Sequence, residues 1–197
     1  MQISRLEPER APFIRAVLRL LRMKVRRALR RQPLWVSWNR HVGREISGYE
    51  VNQRLRLSFP VNVLTAAQRM GVDVAFHKDC AWDAAIESDR FGNATIYVDV
   101  GSSLEHQRYL VALALGYLLH TVPTIVVRLR LNEEGRAHRA PEDDAGRRAL
   151  IFALQLMLPL NDVRKRFGAH WLASHARVPL WFAQQGIDGP GWVLLQE

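Results

Sequence analysis

The feature that most constrains this chain is the run from Tyr109 to Val127, 19 residues without a formal charge, flanked by Arg108 and Arg128. A segment of that length either crosses a bilayer or is buried by its own protein, since about 18 to 20 apolar residues span the hydrocarbon layer. Its second half argues against crossing. His120, Thr121, Pro123 and Thr124 are polar or helix-breaking, and a proline inside a helix removes a backbone hydrogen bond and collides with the preceding turn. The run therefore reads as a helix from Leu104 to Thr121, buried on all sides, followed by a short buried strand from Thr124 to Leu129. Gly101-Ser102-Ser103 precedes the helix and supplies a serine to cap it.

Enclosing such a helix takes a full core. With 197 residues, 48% of them hydrophobic, the chain is long enough for one domain with a short appendage and needs no disulfide staples. Its single cysteine, Cys80, excludes an internal disulfide and fits a reducing, cytoplasmic setting. No stretch at the N-terminus has the uninterrupted apolar core of a signal peptide. Around the central helix the residues predict a helix over Asn62 to Met70 closed by Gly71, and a strand at Val72, Val74 and Phe76. A second strand follows from Trp82 to Ser88, then a turn at Asp89 to Asn93 and a strand from Ala94 to Val100. Asn132 to Ala145 reads as a polar loop, Arg147 to Leu158 as an apolar helix stopped by Pro159, and the tail as two or three short helices with Trp171, Leu180, Trp181 and Phe182 buried. This order implies an α+β fold.

Charge divides the chain differently. Residues 1–48 carry twelve Lys/Arg and three acids, a difference of +9, which is the whole net charge; residues 49–197 hold sixteen of each. The basic part reads as a helical arm, 1–48, ahead of a neutral domain, 49–197. Ile14, Val17, Leu18, Leu21, Val25 and Ala28 recur at three- and four-residue steps and mark an apolar stripe. Arg15, Arg19, Arg22, Lys24, Arg26, Arg27, Arg30 and Arg31 supply the contacts such an arm could make with nucleic-acid phosphate or an acidic protein partner. A packed helix with a solvated basic face and a membrane-surface helix fit the same pattern. Trp35 and Trp38, at the junction, fit either a docking surface or packing of the arm on its own domain.

Three segments together resemble the ImmA/IrrE family of zinc metallopeptidases, over about residues 55–185. The first runs from Pro60-Val61-Asn62-Val63 through Arg69-Met70-Gly71 to Val72-Asp73-Val74. The second, Arg108-Tyr109-Leu110-Val111-Ala112 through Leu115-Gly116 to Leu118-Leu119-His120, is similar to the family's active-site helix, R-F-x-x-A-H-E-L-G-H-x-L-L-H. The third, Ala149, Phe152-Ala153 and Leu156-Met157-Leu158-Pro159, is similar to its E-A-x-x-F-A-x-x-L-L-M-P helix. The resemblance implies a minimal zincin-like scaffold, a small sheet with buried active-site-type helices. Many family members cleave a helix-turn-helix repressor of a phage, mobile element or stress regulon.

The family's chemistry does not carry over to these residues. In H-E-x-x-H two imidazoles one turn apart reach one zinc, and the glutamate between them polarises its water. The matching positions hold Leu113, Ala114 and Tyr117, and the positions of the third ligand hold Gly146 or Arg148. Neither leucine nor alanine offers a lone pair, and a phenol titrating near 10 is a poor zinc ligand at neutral pH. The expectation is a non-catalytic pseudo-peptidase without metal or cofactor, engaging a repressor or other transcription regulator through the surviving scaffold. Two alternatives stand beside it: an active hydrolase with a site rebuilt around His120, Asp143, Asp144 or Tyr117, and a nucleic-acid-binding or assembly protein acting through the arm. His106 and His120 are too far apart along the helix, roughly 20 Å over fourteen residues, to hold one ion. His77 and Cys80 offer an imidazole and a thiol near one strand end, without a recognisable third group.

Overall fold

The computed structural model describes residues 33–39, 46–78, 81–89, 91–121, 126–129, 144–158 and 166–188. The chain divides into two units between Gln32 and Pro33. The first unit, with the predicted basic helix and all eight of its candidate contact residues, lies outside the described residues, as do Cys80, Asp143 and Pro159.

Local sequence signals set the helix ends. Helix α1 is Leu34–Asn39. Helix α2, Gly48–Leu55, begins where the Ser47 hydroxyl accepts the Glu50 amide at 3.1 Å and ends at Arg56 in the left-handed conformation. Helix α3, Val63–Met70, opens on Asn62, whose side chain accepts the amides of Leu64 and Thr65, and closes on Gly71 at φ 83°, where a side chain would be strained. Strand β1 is Asp73–His77, β2 Ala84–Ser88 and β3 Ala94–Asp99. The turn between β2 and β3 is an Asx turn, with the Asp89 carboxylate accepting the amides of Phe91 and Asn93. Helix α4, Leu104–His120, starts at Ser103, whose hydroxyl accepts the His106 amide. Strand β4, Val126–Leu129, follows. The remaining helices are α5, Asp144–Met157, α6, Ala169–Ala176, and α7, Leu180–Asp188.

These seven helices and four strands, counted among the described residues, form a mixed α+β domain. The strand order is β1-β3-β2-β4, with β1 parallel to β3 and the other neighbours antiparallel. One sheet face carries Ala84, Ile86, Ile96 and Val98, all fully buried against the helices. On the other, His77, Trp82 and Tyr97 meet edge to face, with ring centroids 5.3–6.5 Å apart.

Helix α4 is the axis of the domain, touching α1, α3, α5, β2 and β3. Every residue from Tyr109 to Leu119 is buried, which is why the run has no polar stripe: a helix apolar all round has neighbours all round. It ends at His120, and among the described residues no helix is long and apolar enough to cross a membrane.

Several expected bounds move. Residues 33–48, assigned by charge to the arm, belong to the second unit: Trp35 is fully buried and Trp38 nearly so, with the Arg54 guanidinium 5.6 Å from the Trp38 ring centroid. Core burial, not charge, sets that boundary. Helix α5 starts three residues before the expected Arg147, because Asp144 in its first turn pairs with Arg148 one turn on. Of the tail residues expected to be buried, Phe182 is, Trp171 and Trp181 are half-buried, and Leu180 is exposed.

Candidate functional site

The positions that the resemblance sets against a metal centre lie in the buried stretch of α4, which crosses α5 at Gly116. Leu113, Ala114 and Tyr117 are 5%, 0% and 6% exposed. The crossing is close because residue 116 is glycine. A Cβ there would fall 2.7 Å from both the Cα and the carbonyl oxygen of Ala149, and backbone atoms can yield only if the helices separate. Gly116→Ala is therefore expected to destabilise the protein by about 1–2 kcal/mol, the overpacking penalty outweighing the ~1 kcal/mol that alanine gains over glycine in a helix. A urea midpoint equal to or above the parent's would show that the helices part at no cost.

Of the remaining candidates among the described residues, Arg148 and His77 lie away from this crossing, whereas His120 reaches α5. Arg148 reaches Asp144 at 2.5 Å, with the two side chains 39% and 64% exposed, so its guanidinium forms a surface ion pair. The His120 ring lies edge-on to Phe152, with centroids 6.3 Å apart. His77 belongs to the aromatic cluster on the outer face of the sheet. Among the described residues no group of three or more His, Cys, Asp or Glu could hold a metal ion.

His106, in the first turn of α4, has a displaced titration. Burial lowers its pKa, and the charge of Asp83 opposes that shift. A histidine whose folded pKa lies below its unfolded value of about 6.5 takes up its proton more readily when the chain unfolds. Stability is then lost as pH falls from about 6.5 through the lowered folded value. His106→Gln is expected to flatten the fall in unfolding midpoint between about pH 7 and pH 5. An unchanged pH profile would assign the acid sensitivity to other groups.

A concavity of the domain lies on the side of α4 opposite Leu113 and Tyr117. Taking about 100° per residue, Leu104, Arg108 and Val111 fall within one narrow sector, with Leu113 and Tyr117 about half a turn away. The first group floors a groove of about 730 Å³, walled by Val63 and Leu64 of α3, Phe76 of β1, Ala173 and Ser174 of α6, and Leu180 of α7. Four of its large apolar side chains are exposed: Leu64 at 42%, Phe76 at 45%, Leu104 at 72% and Leu180 at 43%. Arg108 holds the groove's two ends together. Its guanidinium donates to Val61 O at 2.8 Å, Arg177 O at 3.0 Å and Ala176 O at 3.2 Å, tying α3's approach to the end of α6. Burial lowers its pKa, the nearby charge of Arg177 adds to that effect, and Glu105 opposes it.

No family model matches the chain, and no curated protein matches it. The groove is assembled from residues more than a hundred positions apart, and no local pattern in the sequence marks it. The one signal that could have pointed to it is Leu104, an apolar residue in the first, otherwise polar turn of the central helix.

Proposed function

We propose that this domain works by binding a protein partner rather than by catalysis, as a non-catalytic relative of the repressor-cleaving metallopeptidases that it resembles. The observation that carries this reading is the burial of Leu113, Ala114 and Tyr117 on α4. Side chains that pack into the core there stabilise the fold through apolar contact and leave neither a metal ligand nor a general base facing a cleft. A transcription regulator of the helix-turn-helix type is the partner that the resemblance favours. The purified protein is expected to carry no stoichiometric zinc by elemental analysis and to leave such regulators intact. Zinc at one equivalent, or cleavage abolished by a chelator, would overturn the reading.

A second reading rests on one sequence observation, the ten Lys/Arg against two acids that precede Pro33. That segment is suited to phosphate contact, with affinity falling steeply with salt. Removing residues 1–32 is expected to abolish nucleic-acid binding and its salt slope together. Binding that survives the deletion would place the contact elsewhere.

A further inference from the structure

We propose that the groove on the outer side of α4 is the docking site, and that its occupant is an extended segment of a partner protein that pairs with β1 and places apolar side chains and one carboxylate in the groove. The proposal deepens the binding reading above and rests on it for the statement that binding is what the domain does.

Three observations select that occupant. The first is the sheet edge. Strand β1 is terminal in the order β1-β3-β2-β4, so its outer side borders no other strand of the described sheet. The His77 carbonyl accepts the Val100 amide on the β3 side at 2.8 Å. Strand alternation therefore turns the backbone groups of Val74 and Phe76 outward, where an added strand would meet them. The second is apolar continuity. The Phe76 side chain lies on that strand and lines the groove together with Leu64, Leu104 and Leu180. A strand added beside β1 would send alternate side chains down onto this surface, so backbone pairing and apolar burial would act in one register.

The third is charge. Arg108 and Arg177 both line the groove, and the charge of Arg177 disfavours that of Arg108. The hydrogen bonds of Arg108 go to three carbonyl oxygens. The guanidinium of Arg177 makes no ion pair or side-chain hydrogen bond among the described residues. Glu105, also in the lining, leaves the three with a net positive charge. A carboxylate from the partner, set between the arginines, would relieve their repulsion through charge-assisted hydrogen bonds. That favours an acidic–apolar peptide over a purely apolar one.

The test uses the full-length protein and fluorescence anisotropy. The probe is a fluorescein-labelled heptapeptide of alternating threonine and leucine with glutamate in place of the central leucine. Saturable binding is expected near about 10–100 μM. Leu104→Glu alters an exposed side chain and is expected to weaken binding about tenfold or more. Arg177→Asn keeps a residue that tolerates the left-handed backbone at φ 54°, and is expected to erase the preference for the glutamate peptide over its lysine counterpart. Methylating one alternate set of peptide amides is expected to abolish binding, and methylating the other set to spare it, because only one set can face β1.

Absence of saturable binding at about 1 mM to protein whose circular dichroism shows it folded would overturn the proposal. So would equal binding by Leu104→Glu, or equal tolerance of both methylated sets. Should sedimentation reveal a dimer that Leu104→Glu dissociates while the probe stays unbound, the occupant is a second copy and the proposal also falls. Failure here leaves the zinc measurement untouched, and zinc at one equivalent would leave a positive anisotropy result standing, so the two readings fail separately.

Discussion

Ala114→Glu, which puts a carboxylate where the motif of the resembled family has its general base, is expected to cost about 3–5 kcal/mol at neutral pH, because an uncompensated charge is forced into a dry core. In a domain of this size that lowers the melting temperature by roughly 6–20 °C. Ala114 is fully buried, within a stretch of α4 from Tyr109 to Leu119 of which every residue is buried, so a carboxylate there is shut away from water. Burial raises the pKa of such a group in the folded state above its unfolded value. The folded protein then binds the proton more tightly, and the deficit relative to the parent shrinks as pH falls through the raised value. Thermal unfolding at about pH 7.5 and pH 5 measures both the cost and its sign. Adding Leu113→His and Tyr117→His is expected to bring no stoichiometric zinc, since the third-ligand positions hold Gly146 and Arg148. A variant as stable as the parent at neutral pH, or one that loads zinc, would mean that an open centre survives.

Trp35→Ala is expected to be comparably severe, at about 3–5 kcal/mol. The indole is fully buried, and helix α1 packs against α3 and α4, so truncation leaves a cavity among elements that cannot all close on it. The indole N–H meets no acceptor among the described residues, and an unmet buried donor costs about 1–3 kcal/mol. Trp35→Phe removes that donor along with some volume, and is expected to cost much less than alanine. Chemical denaturation of the pair separates volume from polarity: equal losses would assign Trp35 a hydrogen bond, not a packing role. A chain cut at residue 48, where the charge changes, would lose Trp35, Val36, Trp38 and Ile46 from the core together.

What could be read from the residues follows from how local each signal is. The central helix was legible because a long uncharged run with a serine before it and a proline after it has few outcomes. Strand β3 was legible from Ala94-Thr95-Ile96-Tyr97-Val98, which alternates buried and half-buried as written. The start of α2 is equally local, a serine three residues before Glu50, but the change of charge after residue 48 cuts across that cap and hides it. Leu180 was expected in the core on hydrophobicity alone, which does not distinguish a core from the lip of a groove. The groove was not legible, because Leu64, Phe76, Leu104 and Leu180 meet only after four separate elements have packed. The pairing of Arg148 with Asp144 toward solvent was not legible either, because it depends on where α5 begins.

The clasp between α2 and α5 sets an order of events during synthesis. The Gly48 amide donates to the Gln155 side chain at 3.1 Å and the Asn52 side chain to the Leu156 carbonyl at 2.9 Å, contacts 107 and 104 residues apart in sequence. A Cβ on Gly48 would lie 2.3 Å from the Leu156 nitrogen, so α2 fits only against a finished α5. At roughly 5–20 residues per second on the ribosome, α2 waits on the order of 5–20 s for its seat to be made. Through that interval Val51 and Leu55, both buried in the finished domain, remain open to chaperones.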